Sequence, residues 1–253
     1  MPYELRDLAP AVDYARRQPD AGFALLRSLQ QGVRPGFAAI VDDPDNVTAV
    51  MLVERPDWRG GDLLLTRIQF DAVAAAEALR LLSWIPPGAR VQVRTYRPWL
   101  QELVQGSLEG AQTVQHVLCV ADRQGFRPDQ RAEMAVEIAA DEFGRYDRTG
   151  ALRLQDGDRL FGVVRDDRLL ACAAMGVPEN GYVPVRYLFT QPTERRRGYG
   201  TAALSAAVQA GLEAGHAVLC RLPASDLALL HLAARLGFAP VCREWSVEGR
   251  PRQ

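Results

Sequence analysis

The sequence predicts an α/β protein with mixed central sheets flanked by helices, built as two tandem halves. Two observations carry this reading. Short apolar runs bounded by polar turns alternate with segments of helical periodicity, the pattern of sheets covered by helices. The order hairpin, strand, helix, strand, helix also occurs twice along the chain, and such a repeat outranks any single local motif. A chain of 253 residues has room for two domains of ordinary size.

In the first half, the run from Gly36 to Val41 and the run from Val47 to Val53 flank a polar turn that includes Asp42 and Asp43, which reads as a hairpin. A third run, Leu63 to Ile68, leads into a helical segment from Phe70 to Leu82. The strand Arg90 to Thr95 and the helix Trp99 to Leu108 follow. The run Val114 to Val120 either closes the first sheet or opens the second. Asp122 to Pro128 is polar and contains breakers, so the join is placed there and the halves are 1–122 and 123–253. The second half repeats the order. A hairpin runs from Leu160 to Met175 around Asp166 and Asp167, and a strand spans Val183 to Thr190. A helix then reaches Ala214, followed by a strand from Ala217 to Leu222 and a helix from Asp226 to Leu236.

Composition narrows the function classes. Hydrophobic residues are 48% and charged residues 24%, a globular profile. The net charge of −1 offers nothing to nucleic acid or an anionic membrane surface. No apolar run reaches the roughly 20 residues of a membrane helix, and the first residues lack a signal-peptide pattern. A cytoplasmic location is therefore expected. Cys119, Cys172, Cys220 and Cys242 lie at no metal-ligand spacing, and His116, His216 and His231 do not cluster with them, so no metal is expected. All 30 basic residues are arginine. A lysine Schiff base and a phosphate-loop lysine are thereby excluded.

The segment that points to chemistry runs from Gln191 through Thr190's successor loop, Glu194, Arg195, Arg196, Arg197, Gly198, Tyr199, Gly200 and Thr201, directly into a helix. Free N–H groups of a first helical turn, together with the helix dipole, attract an anion. Gly198 and Gly200 remove side chains that would keep the anion from the backbone. The three arginines can add charge-assisted bonds to phosphate oxygens, each contributing about 1.5–3 kcal/mol. A diphosphate gains from this arrangement and a sugar does not. The spacing is neither a dinucleotide-binding fingerprint nor a Walker loop.

Here the sequence resembles the GNAT superfamily of acyl-CoA-dependent N-acyltransferases. The signature Arg/Gln-x-x-Gly-x-Gly/Ala is matched by Arg195, Gly198 and Gly200, and the preceding Leu-x-Val-x-Pro pattern by Leu188, Thr190 and Pro192. A second family motif is matched at its end by Leu232, Gly237 and Phe238. The resemblance covers about residues 128–248. It implies two tandem GNAT-like domains and acetyl-CoA as co-substrate. It also implies that Leu188, Phe189 and Thr190 hold the acyl and pantetheine part. Arg195, Arg196, Arg197, Gly198, Tyr199, Gly200 and Thr201 would hold the diphosphate, with Asp226 at the position of a family asparagine. The expected activity is transfer of an acetyl group to a primary amine of a small molecule or peptide, with no nucleic acid or membrane partner.

The sequence departs from the family in two respects. The tyrosine that often protonates the leaving thiolate falls at Ala233, which leaves a non-catalytic CoA-binding protein as the alternative function. His231 lies two residues away on the helix, roughly 200° around the axis, and reads as a surface or structural residue. Tyr187 is a substitute acid unless strand alternation aims it at the core. Glu137, Asp141 and Glu142 are expected on a helix, as a solvated face. The first half has Phe70 and an Ala-rich turn where a phosphate loop would be, so it reads as a degenerate half that binds no CoA.

Overall fold

The computed structural model describes residues 3–4, 7–18, 21–30, 37–41, 46–53, 65–85, 89–146 and 154–252. The chain divides into two compact units, residues 1–117 with 242–253, and residues 118–241.

The first unit begins with β1 (Tyr3–Glu4), α1 (Ala9–Arg16) and α2 (Gly22–Gln30). It continues through β2 (Phe37–Val41), β3 (Ala49–Val53), β4 (Leu65–Ala72), α3 (Ala75–Leu82), β5 (Arg90–Thr95) and α4 (Pro98–Ser107). Neighbouring strands from β1 to β4 pair antiparallel, and β4 pairs parallel with β5 across the α3 crossover. Ile68, Phe70 and Ala72 alternate inward from β4 and meet Leu81, Val93 and Leu100 in one buried cluster. The expected helix therefore begins later than Phe70. Phe70 is fully buried in the strand, and α3 opens only at Ala75. Packing of alternate residues outweighs the helical propensity of the alanine run. Gly36, Leu63 and the turn at 42–45 lie outside the described residues.

The second unit holds β7 (Val136–Ile138), α5 (Phe143–Tyr146), β8 (Arg159–Arg165), β9 (Arg168–Met175) and β10 (Tyr182–Thr190). After these come α6 (Tyr199–Glu213), β11 (Ala217–Pro223) and α7 (Leu227–Arg235). Strands β7 to β10 pair antiparallel in sequence, and β10 pairs parallel with β11. The β8–β9 hairpin turns on Asp166 and Asp167, both with positive φ, as a two-residue turn matched to strand twist requires. Helix α6 buries Ala202, Ala203, Leu204, Ala207 and Val208.

Two strands differ from the expected division. β6 (Leu108–Ala121) includes the run Val114 to Val120 and spans the division, with residues 108–117 in the first unit and 118–121 in the second. The last strand, β12 (Ala239–Pro251), pairs antiparallel with β5 from Trp245↔Thr95 to Gly249↔Val91. Residues 242–253 therefore complete the first unit's sheet, where the sequence had placed them with the second half. Strand pairing between residues 150 positions apart leaves no local trace in the sequence.

Glu137, Asp141 and Glu142 are not on a helix. Glu137 lies in β7 opposite Phe161, and the other two sit in the turn before the single-turn α5. Pairing with the β8 edge draws this short segment into an extended form. No helix among the described residues is long and apolar enough to cross a membrane.

Candidate functional site

Strand β10 carries a bulge. Its register on β9 shifts between Val185 and Tyr187, leaving Arg186 as the extra residue. Pairing of β10 with β11 ends at the same level, at Val185↔Cys220, although β10 runs on to Thr190 and β11 to Pro223. The two parallel strands part there. Between them lies a cavity of about 110 Å³, lined by Tyr187 and Leu188 from β10, Cys220 and Leu222 from β11, and Leu229 and Ala233 from α7.

The chain leaves β10 through a short 3-10 turn, Pro192–Glu194, and enters α6. Arg196 (φ 64°) and Gly198 (φ 86°) adopt left-handed backbone, and Gly198 is the N-cap. Such reversals gather successive N–H groups to one side. The first α6 bond runs from the Ala202 N–H to the Gly198 carbonyl at 2.9 Å, so the amides of Tyr199, Gly200 and Thr201 precede the intrahelical ladder. No acidic residue stands in this first turn. Gly200 is buried, and a Cβ there would lie 2.6 Å from Thr190 Oγ1. Glycine is thus what lets the helix start pack against the end of β10.

The structure separates the expected residues into groups. Leu188 lines the cavity, whereas Phe189 stacks on Tyr187 at 6.4 Å and packs with the cluster of Ile138, Phe143 and Leu160. Thr190 faces Gly200. Arg195, Arg196 and Arg197 are exposed, with Arg197 bridged to Glu194 at 3.1 Å. Tyr199 packs beside Val163, Leu170 and Ala202. Asp226 stands apart as the N-cap of α7, accepting the Leu229 N–H at 3.0 Å. Among the described residues no group of three or more His, Cys, Asp or Glu is placed to hold a metal ion.

Residues 123–238 match the model of the acetyltransferase (GNAT) family. The second unit thus carries a GNAT domain. Members of that family use acyl-CoA and act on amine-bearing acceptors. Solved structures agree on the fold. A tandem GNAT protein from the clavulanic acid biosynthesis pathway is 14% identical, with a TM-score of 0.58 and 100% of both chains covered. A GNAT-family acetyltransferase from Colwellia psychrerythraea is 12% identical, TM-score 0.55, again over 100% of both chains. A Drosophila protein is 13% identical, TM-score 0.65, covering 100% of this chain and 99% of that one. At these identities the likeness concerns fold alone. No curated protein matches by sequence.

Within the GNAT domain, Ala233 is buried and borders the cavity, while His231 is exposed. Tyr187 packs partly into the core, as strand alternation allowed. Glu137 is bound by Arg159 through two bonds of 2.7 and 2.8 Å, and that guanidinium holds its carboxyl below the usual carboxylate range. It is therefore ionised at neutral pH and already engaged. Both side chains are nearly half exposed, so Arg159→Ala is expected to cost less than about 1 kcal/mol in urea denaturation. Sequence reading missed the bulge, whose one trace is Arg186 interrupting an otherwise apolar strand. It also missed the cavity wall from β11 and α7, which only the fold assembles.

Proposed function

We propose that the second unit is an N-acetyltransferase that moves the acetyl group of acetyl-CoA to a primary amine. The observation that carries this reading is the parting of β10 from β11 beside a helix start with free amides. A parted pair of parallel strands leaves the edge of β10 from Leu188 to Thr190 facing a narrow slot, suited to the amide-bearing pantetheine arm. The amides from Gly198 to Thr201 and the arginines Arg195 to Arg197 would then hold the diphosphate. Asp226, engaged as a helix cap, supports the second motif's helix from outside the slot.

Rate acceleration would come mainly from holding amine and thioester together and from N–H groups that stabilise the tetrahedral oxyanion. The neutral amine attacks the thioester carbonyl, the C–S bond breaks, and the amine's surplus proton passes to solvent. The departing thiolate has a reference pKa near 8.5, so water can protonate it and Ala233 need not be an acid.

The first unit reads as a degenerate counterpart. It repeats three antiparallel pairings followed by one parallel pairing, but α3, whose N-cap is Ala74, has Glu77 in its first turn, a carboxylate where an incoming anion would need to sit. Beyond the last β4–β5 pair, Gln69↔Arg94, stands an ion pair of the buried Asp71 with the partly buried Arg97.

Titration calorimetry with acetyl-CoA tests the proposal. Binding is expected for the native protein, and Arg195→Ala is expected to weaken it about tenfold. Thiol release with a panel of amines then separates turnover from the alternative that Ala233 favours, a CoA-binding protein without activity. A correctly folded native protein that binds no acetyl-CoA overturns both.

A further inference from the structure

We propose that Arg131, far from the Gly-Arg loop in sequence, is a further cation of the diphosphate site, aimed by Asp129. This rests on the reading of the loop given above. Arg131 lies in the 3-10 turn Gln130–Met134, whose N-cap is Asp129. The Asp129 carboxylate accepts from the Arg131 backbone N–H at 3.0 Å, from its Nε at 2.9 Å and from its Nη2 at 3.1 Å. One edge of the guanidinium is thus locked. The remaining nitrogen, Nη1, lies over Gly198, where it would overlap a Cβ placed on that residue. Gly198 is the N-cap of α6, so the free edge of this arginine is presented at the helix start.

The turn is itself anchored to the helix. The Asp129 N–H donates to Ser205 Oγ at 3.0 Å, and Ser205 is fully buried in α6. Arg235, in the last turn of α7, brings a second guanidinium within 3.6 Å of Asp129 Oδ2. Two arginines on one carboxylate leave the cluster with a net positive charge. A surface brace needs one arginine, whereas an excess cation held over an N-cap glycine suits a dianion. The Asp129 side chain is a positioning group here. Its contacts set where the Arg131 edge points.

The experiment titrates native protein and Arg131→Ala with acetyl-CoA, with dephospho-CoA, which keeps the diphosphate but lacks the 3′-phosphate, and with S-acetylpantetheine, which has no phosphate. Arg131→Ala is expected to weaken the first two by about tenfold alike and to leave the third unchanged. Arg131→Lys, which keeps the charge and loses the fork, is expected to fall between. Unchanged affinity for acetyl-CoA overturns the proposal. So does a loss confined to acetyl-CoA, which would assign Arg131 to the 3′-phosphate, or an equal loss for all three, which would make it a structural brace. Failure of the native protein to bind any of them overturns the underlying loop reading, and is distinguishable because it appears before any substitution.

Discussion

Gly200→Val is expected to reduce affinity for acetyl-CoA by about a hundredfold or more while the protein still folds. The Thr190 side chain crowds any side chain placed there. A Cβ at Gly200 would lie 2.6 Å from Thr190 Oγ1, and the residue is buried between the start of α6 and the end of β10. A branched side chain must displace the Thr190 side chain at the contact between the proposed diphosphate and thioester supports. Overpacking of this kind costs about 1–3 kcal/mol of stability, which thermal melting followed by circular dichroism reads separately from affinity. Gly200→Ala combined with Thr190→Ala removes the opposing hydroxyl, so this pair is expected to recover much of the binding that Gly200→Ala alone loses. Native affinity in Gly200→Val would show that the helix start is not where the anion binds.

The second large effect belongs to the first unit. Asp71 is fully buried at the end of β4, accepting from Arg97 Nε at 2.8 Å, from Arg97 Nη2 at 3.1 Å and from the Tyr14 hydroxyl at 2.8 Å. Arg97 also donates to Gln18 at 2.6 Å. Asp71→Ala leaves the buried Tyr14 hydroxyl without its acceptor and the partly buried Arg97 without its carboxylate partner, and is expected to cost about 3 kcal/mol in urea denaturation. The network also gives a pH signature. Burial first, and the neighbouring Asp71 carboxylate second, raise the Tyr14 hydroxyl well above its ordinary value. A group raised in the folded state contributes stability that is complete below its unfolded value near 10 and is lost as pH rises beyond it. Stability is therefore expected to fall above about pH 10, and Tyr14→Phe should flatten that fall. No flattening would mean that Tyr14 is not the titrating group.

Much of the GNAT domain could be read from local pattern. The hairpin at Asp166 and Asp167, β10, α6, β11 and α7 fall within one or two residues of their expected limits, because each has its own period and its own turn or cap residues. The proposed diphosphate loop was visible because a site of that type needs glycines, cations and a helix start in immediate succession. Errors arose where distant partners decide conformation. Phe70 joins β4 because Leu81, Val93 and Leu100 surround it, and Glu137 is extended because β8 pairs with it.

The amino-acid order alone determined the kinds of elements, their succession and the glycine and arginine make-up of the turn after Thr190, since backbone periodicity and capping act over a few residues. Tertiary structure alone decided that β12 pairs with β5, that the sheet opens beyond Val185 and Cys220, and that Arg131 lies over Gly198. Those three depend on hydrogen bonds and charges meeting across long stretches of chain, and such meetings are settled by packing of the whole unit.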